Sequence, residues 1–232
     1  MERRSWSLPG EEGTGEEGPG EEGPGEEGPG EEGVVKKAET SVPLHPLLAQ
    51  RWSPRALDER VELTDQQFTA LFEAARWAPS RGNTQPARYI AGRRGEPTFE
   101  RIHSTLSRGN SVWTRPAAAL MIGLARVLED DGSPFTHGEY GLGLATENLV
   151  LQAEAEGLVA HQMAGFDRDA ARAEFNIPRE YEPVVAIAVG GEGSLDALPE
   201  RLQQKEVAAR TRKPLSELVF TDSWGSPAFP GA

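Results

Sequence analysis

Three separated stretches of this chain carry side chains that could do chemistry together. The first is Arg51-Trp52-Ser53-Pro54-Arg55. In an extended backbone alternate residues project to the same side, so Arg51, Ser53 and Arg55 would aim two guanidiniums and a hydroxyl at one locus. That donor set suits a phosphate, which accepts bidentate, charge-assisted hydrogen bonds from arginine. A solvated basic turn is the plain alternative. The second stretch, Arg210-Thr211-Arg212-Lys213, repeats the arginine pair near the C-terminus. Alone it reads as wet surface; its interest is that it is a second such pair on a chain that leans acidic. The third, Ala78-Pro79-Ser80-Arg81-Gly82-Asn83-Thr84-Gln85-Pro86, holds Ser80, Asn83 and Gln85 between two prolines that restrict the backbone. Such hydroxyl and amide groups can hydrogen bond the polar edge of a flat heterocycle, or else satisfy the turn's own backbone. The three together fit one anion and one flat ring.

Other chemistries find no support. His45, His103, His137 and His161 are scattered, with no i, i+4 pair beside a glutamate, so no zincin-type metal site is expected. There is no cysteine, which removes disulfides, thiol nucleophiles and thiolate metal sites together. No Gly-x-Ser-x-Gly elbow and no P-loop are present. The glycines at 141 and 143 and those at 190, 191 and 193 lack the strand-loop-helix setting of a dinucleotide fingerprint and read as packing or turn positions.

The elements that would position these stretches follow from hydrophobic period and end signals. A short apolar helix starts at Pro46 and stops before Arg51. The clearest helix spans 64–78: Thr64 and Gln67 make a capping box, and Leu63, Phe68, Leu71, Phe72 and Ala75 share one face. Residues 87–93 read as a strand, 97–107 as a helix and 117–124 as a buried strand. A long helix runs from about Gly138 to Glu156, with Leu144, Asn148, Leu151 and Ala155 along one stripe and Gly157 closing it. A strand at 158–163, a helix at 167–175, a β-branched strand at 184–189 and a helix at 199–206 follow. Strands separated by helices predict a layered α/β or α+β domain.

Composition divides the 232 residues in two. Residues 1–33 carry 11 acidic and 2 basic side chains, a local charge of −9 out of the total of −13. From Gly10 they repeat Gly-Glu-Glu-Gly-Pro, which has nothing apolar to bury and is expected to be a disordered acidic tail occupying residues 1–40. Residues 41–232 are then the folded domain. Its mild acidity offers no footprint for nucleic acid. The longest apolar run, Ala117 to Ala125, is about half a membrane span. The N-terminus has no hydrophobic core of a secretory signal. A cytoplasmic protein is the default expectation.

In their order and spacing, five pieces resemble the FMN-dependent nitroreductase family from roughly Pro46 to Gly225. They are Arg51-Trp52-Ser53-Pro54-Arg55; Ala74-Ala75-Arg76-Trp77-Ala78-Pro79-Ser80 with Asn83-Thr84-Gln85-Pro86; Glu147-Asn148-Leu149-Val150-Leu151-Gln152-Ala153; Met163-Ala164-Gly165-Phe166-Asp167; and Arg210-Thr211-Arg212. The resemblance implies an α+β, three-layer fold with a central mixed sheet flanked by helices. It implies a homodimer with one FMN in each of two interface clefts, and a C-terminal segment that embraces the partner. On that likeness the Arg51, Trp52, Ser53 and Arg55 segment binds the FMN phosphate and part of the ring, helped by Arg210 and Arg212. The loop of Pro79, Ser80 and Asn83, with Gln85 near its base, reaches the flavin from the other subunit. Ala164 and Gly165 supply backbone groups near its reactive nitrogen, and the 138–156 helix forms the dimer core.

The function implied is reduction of a small organic oxidant by NAD(P)H in ping-pong hydride steps. No side-chain acid or base is required, so none is nominated, and His161 is expected to be a core or interface histidine. The chain departs from the family pattern on the substrate side: Ala87 stands where an aromatic is common, Ala164 where some relatives have an acid, and only about a dozen residues from Arg126 to His137 replace a long helical excursion. Two other functions fit the same residues. One is a flavin-dependent dehydrogenase of a biosynthetic intermediate; the other is a non-catalytic flavin-binding or partner-binding protein.

Overall fold

The computed structural model describes residues 36–231, so the acidic repeats lie outside the described residues. Seven helices and five strands are the frame: α1 (Pro46–Gln50), β1 (Leu57–Asp58), α2 (Asp65–Arg76), β2 (Ala87–Arg93), α3 (Pro97–Thr105), α4 (Arg108–Ser111), β3 (Ala119–Arg126), α5 (Gly138–Ala155), β4 (Val159–Met163), α6 (Arg168–Phe175), β5 (Tyr181–Glu192) and α7 (Glu200–Val207). Local chemistry sets the ends. Thr64 Oγ1 accepts from the Gln67 N–H, and Gln67 Oε1 accepts from the Thr64 N–H, each at 3.1 Å, so the capping box opens α2 as its sequence implies. At the far end of α5 the Leu158 N–H returns to the Ala153 carbonyl and the Gly157 N–H to Glu154, which closes the helix at a glycine with φ +71°.

The expected α+β, three-layer architecture is present. In the sheet β5 pairs with β3, β4 and β1, and β3 also pairs with β2. One expectation needs correction: the sheet is not mixed, because every strand pair among the described residues is antiparallel. The reason is topological. Helix α5 joins β3 to β4, two strands that run the same way, but β5 inserts between them and opposes both. β5 is also longer than its apolar run suggested. It continues through Gly190 to Glu192, and Gly191 and Glu192 pair with Asp58 and Leu57 of β1 to extend the ladder. Pro183 is tolerated in this central strand because the register shifts beside it, between Gly123 and Leu124.

Alternation along the strands divides the core. Leu120, Ile122, Ala186 and Ala188 pack on the side covered by α3, α6 and α7, with Phe99, Ile102 and Leu202. Ala119, Met121, Ile187 and Val189 pack on the side of α2 and α5, with Leu71, Ala145, Leu149 and Ala153. Helix α5 therefore turns Leu142, Ala145, Leu149 and Ala153 to the sheet, whereas Leu144, Asn148 and Leu151 of the stripe noted in the sequence are only half-buried and Ala155 is exposed. The Ala38 N–H donates to the Ala49 carbonyl at 2.8 Å, which ties the residues before α1 to that helix.

Residues 127–137 form a small hairpin, with the Leu128–Pro134 bridge and the Phe135 N–H on the Val127 carbonyl at 2.8 Å. It returns so tightly that a Cβ on Gly138 would sit 1.9 Å from the Arg126 carbonyl oxygen. Gly138→Ala must displace backbone, and is expected to lower stability by about 2 kcal/mol or more, read as a shifted midpoint in urea unfolding.

Candidate functional site

Arg210 of the C-terminal pair, far away in the chain, comes back to the start of the Arg51–Arg55 segment. Arg51 caps α1, and residues 51–55 lead without helix into β1. Three ties hold this segment. The Arg55 and Ala56 N–H groups both donate to Oε1 of Glu206, the latter at 3.0 Å. The Pro54 carbonyl lies 2.9 Å from Nδ1 of His161 on β4; a carbonyl only accepts, so Nδ1 carries the proton. Arg51 Nε stands 3.8 Å from Glu147 of α5. The C-terminal pair is fastened to the same place: Arg210 donates to the Ala49 carbonyl at 3.2 Å and to the Lys36 carbonyl at 2.6 Å. Lys36 Nζ in turn reaches the Ala208 carbonyl at 2.7 Å and lies 4.7 Å from the Trp52 ring centre.

The electrostatics record how close these cations are. Burial pulls the Arg210 guanidinium below its usual range, and the charges of Arg51 and Arg212 pull it further, against Glu154. Burial likewise lowers Lys36; Glu206 opposes this, while Arg55 and Arg210 add to it. Lys36, Arg51, Arg55, Arg210 and Arg212 thus surround one region, with Ser53 within the same segment. Arg212 is exposed, and among the described residues its side chain is hydrogen bonded only to the carbonyl of Thr211. Cations gathered on one stretch of backbone are chemistry for an anion.

The proline-bracketed loop is organised but lies elsewhere on the chain. Ser80 Oγ accepts from the Gln85 N–H at 3.0 Å, Gln85 Nε2 donates to the Asn83 carbonyl at 3.2 Å, and Arg88 ties down the Gln85 carbonyl at 2.8 Å. The side chains of Ser80 and Gln85 thus stiffen the loop itself. Asn83 and Gln85 both take left-handed φ, at 58° and 50°, a conformation that non-glycine residues hold at a cost of about 1 kcal/mol or more each and that concentrates at functional sites. Pro79, Ser80, Gln85 and Pro86 rim a cavity of 460 Å³ floored by Phe72 and Tyr89 between α2, β2 and α5. None of its lining residues belongs to the cationic cluster. Helix α5 separates the two, with Gly141 and Ala145 at the cavity and Glu147 beside Arg51.

Ala164 and Gly165 follow β4 directly, three and four residues beyond His161. The Gly165 carbonyl accepts from the Ser107 N–H at 3.0 Å and from Asn110 Nδ2 at 2.9 Å, and a Cβ there would come within 2.8 Å of both side chains. Ser107 and Asn110 thus hold the Gly165 backbone, and a larger residue there would have to push those two side chains aside. Sequence reasoning missed Lys36, Glu206, Ser107 and Asn110. Glu206 closes a helix of ordinary polar composition, and only its contacts distinguish it from a solvated glutamate.

Residues 48–102 and 108–191 match the model of the nitroreductase family. The chain belongs to the nitroreductase family. The match ends before α7, so Glu206, Arg210 and Arg212 lie beyond it. An uncharacterized 15.4 kDa protein of Mycolicibacterium smegmatis is 32% identical over 148 residues, covering 60% of this chain and 99% of that relative. A Streptomyces coelicolor protein whose name couples NADH dehydrogenase with NAD(P)H nitroreductase is 26% identical over 160 residues, covering 58% of this chain and 78% of the other. Among solved structures, an oxidoreductase containing FMN superposes with a TM-score of 0.76 at 28% identity, covering 81% of this chain and 96% of that one. No helix of the described residues is long and apolar enough to cross a membrane.

His161 joins the strand before Ala164 to the Arg51–Arg55 segment, as a scaffold group. Burial, chiefly, holds its pKa below the ordinary 6.5; the Pro54 carbonyl opposes and Arg55 assists. Neutral His161 is the form the fold prefers, so its contribution is full above about pH 6.5 and is lost as pH falls through the lowered folded value. His161→Gln keeps a donor for Pro54 and cannot titrate. Its melting temperature is expected to fall less steeply than wild type between about pH 7 and 5, measured by thermal unfolding across a buffer series.

Proposed function

We propose that this chain is an FMN-dependent oxidoreductase that takes hydride from NAD(P)H and passes it to a small organic oxidant, the two substrates using the site in turn. The convergence of Arg51, Arg55 and Arg210 with Lys36 carries the reading. Two sequence-remote segments bring their cations to one region, the electrostatic requirement of a flavin mononucleotide's dianionic phosphate, in a chain of the nitroreductase family. The names of the similar proteins, an FMN-containing oxidoreductase and an NAD(P)H nitroreductase, support the cofactor and the reductant.

FMN supplies the hydride chemistry when bound. The protein's residues bind and orient. Arg51, Arg55 and Arg210 hold the phosphate, with Ser53 and Arg212 beside them, and Trp52 flanks the segment. The Gly165 backbone, its carbonyl held by Ser107 and Asn110, borders the ring. The polar loop of Pro79, Ser80, Asn83 and Gln85 completes the site from a second copy of the chain. That assignment rests on the separation of this loop from the cations within one chain, and on the half-buried Leu144 and Leu151 of α5, which a partner helix would cover, whereas Asn148 is taken by the Ala74 carbonyl of α2 at 3.1 Å. Asn83 is exposed and makes no side-chain hydrogen bond among the described residues, so its amide is available to that site.

Pure protein should be yellow, with about one FMN per chain. Arg55→Ala removes a charge-assisted bond contributing about 1.5–3 kcal/mol, so fluorescence titration should show FMN affinity reduced roughly tenfold to a hundredfold. Anaerobic mixing with NADH or NADPH should bleach the flavin. A colourless chain that takes up no added FMN sinks the reading; a yellow chain that neither nucleotide bleaches points instead to a dehydrogenase.

A further inference from the structure

The least expected group near the cations is an anion. Glu206 is 1% exposed, one of the few polar side chains in the core. It sits in the last turn of α7, where the helix dipole is unfavourable to a negative charge. Burying a carboxylate costs several kcal/mol unless it is paired and hydrogen bonded, and an apolar side chain of similar size would pack as well or better. A role in packing alone does not account for it.

Its partners do. Oε1 accepts from the backbone N–H groups of both Arg55 and Ala56, while Oε2 stands 3.5 Å from the Arg55 guanidinium. The main chain is thus gripped firmly and the guanidinium only loosely, well beyond the 2.7–2.9 Å of a tight ion pair. Arg55 is oriented, yet its remaining N–H groups are left for another acceptor. Four residues after Glu206, Arg210 is fastened to Ala49, just before Arg51. The chain from Glu206 to Arg210 therefore spans the Arg51–Arg55 segment and is tied to both of its ends.

We propose that Glu206 is a positioning residue of the phosphate site: its buried carboxylate registers Arg55 against the α7–Arg210 segment and so assembles the two halves of the clamp. The proposal rests on the flavin reading above, and deepens it by placing a determinant of phosphate recognition beyond residue 191, outside the stretch that matches the family. Glu206 itself does not touch the phosphate. It acts through Arg55, and through the geometry in which Arg51, Arg55 and Arg210 face one acceptor.

A structural role would weaken every ligand or none; a positioning role weakens only ligands that carry phosphate. FMN and riboflavin differ by that group, so the quantity to read is the ratio of riboflavin to FMN dissociation constants, by flavin fluorescence titration of the full chain. Glu206→Ala is expected to lower this ratio about tenfold or more, and Glu206→Gln about threefold or more, because the amide oxygen still accepts from the two N–H groups while the charge facing Arg55 is gone. Riboflavin affinity itself should stay within about twofold of wild type. Glu206→Gln decides the matter even if Glu206→Ala does not fold: a ratio equal to wild type overturns the proposal. A wild-type chain that binds neither flavin defeats the flavin reading instead. The proposal is then judged on inorganic phosphate, whose stabilisation of the wild type in thermal unfolding, against chloride at equal ionic strength, must diminish in Glu206→Gln for it to stand.

Discussion

Holding several cations together is the constraint on which the rest of this structure depends. Two like charges 4 Å apart repel by roughly 4 kcal/mol at the effective dielectric of a protein surface, so Arg51, Arg55, Arg210 and Lys36 cannot share a region unless each is restrained. Every one of them is. Arg210 and Lys36 are held by main-chain carbonyls, Arg51 faces Glu147, and Arg55 leans on a buried glutamate whose principal bonds are to backbone. The restraints come from α1, α5, α7, β4 and the residues before α1, so the cluster exists only in the folded chain.

The sheet supplies the rigidity these restraints need. β5, paired on both sides and buried over most of its length, fixes β4, and β4 carries His161 under the Pro54 carbonyl and delivers Ala164 and Gly165 at its end. The same strand order places α5 over one face of the sheet, with a core-facing side and a half-exposed side. One helix thereby lines a cavity and borders the cationic cluster. In the function proposed above, the loop at that cavity meets its ligand from a second copy, and its internal hydrogen bonds stiffen it beforehand.

Much of this was legible in the residues. The capping box at Thr64, the period of α2, the closing glycine at 157 and the buried apolar strand all use short-range signals, and the elements appear where those signals put them. The arginine pairs were legible too, because charge is a property of the residue itself. The resemblance of five short pieces was enough to name the family. Less legible was the sheet's direction: adjacent pairs are antiparallel because β5 returns between β3 and β4, a choice no local period encodes. The stripe on α5 was visible, but a stripe does not say whether it faces its own sheet or another chain; here the sheet takes Leu142, Ala145, Leu149 and Ala153 instead.

By itself, then, the sequence determined the longer helices and strands, though not β1, α4 or the full length of β5, and which side chains carry the charge an anion needs, since both follow from residue type and nearest neighbours. Only the tertiary structure decided that Arg210 comes back to the start of residues 51–55, that Lys36 joins them, and that Glu206 is a buried tie and not a wet surface acid. Those are contacts across 150 residues and more. Their energy comes from burial and from hydrogen bonds that offset the repulsion between like charges, and these exist only once the sheet has brought distant parts of the chain into register.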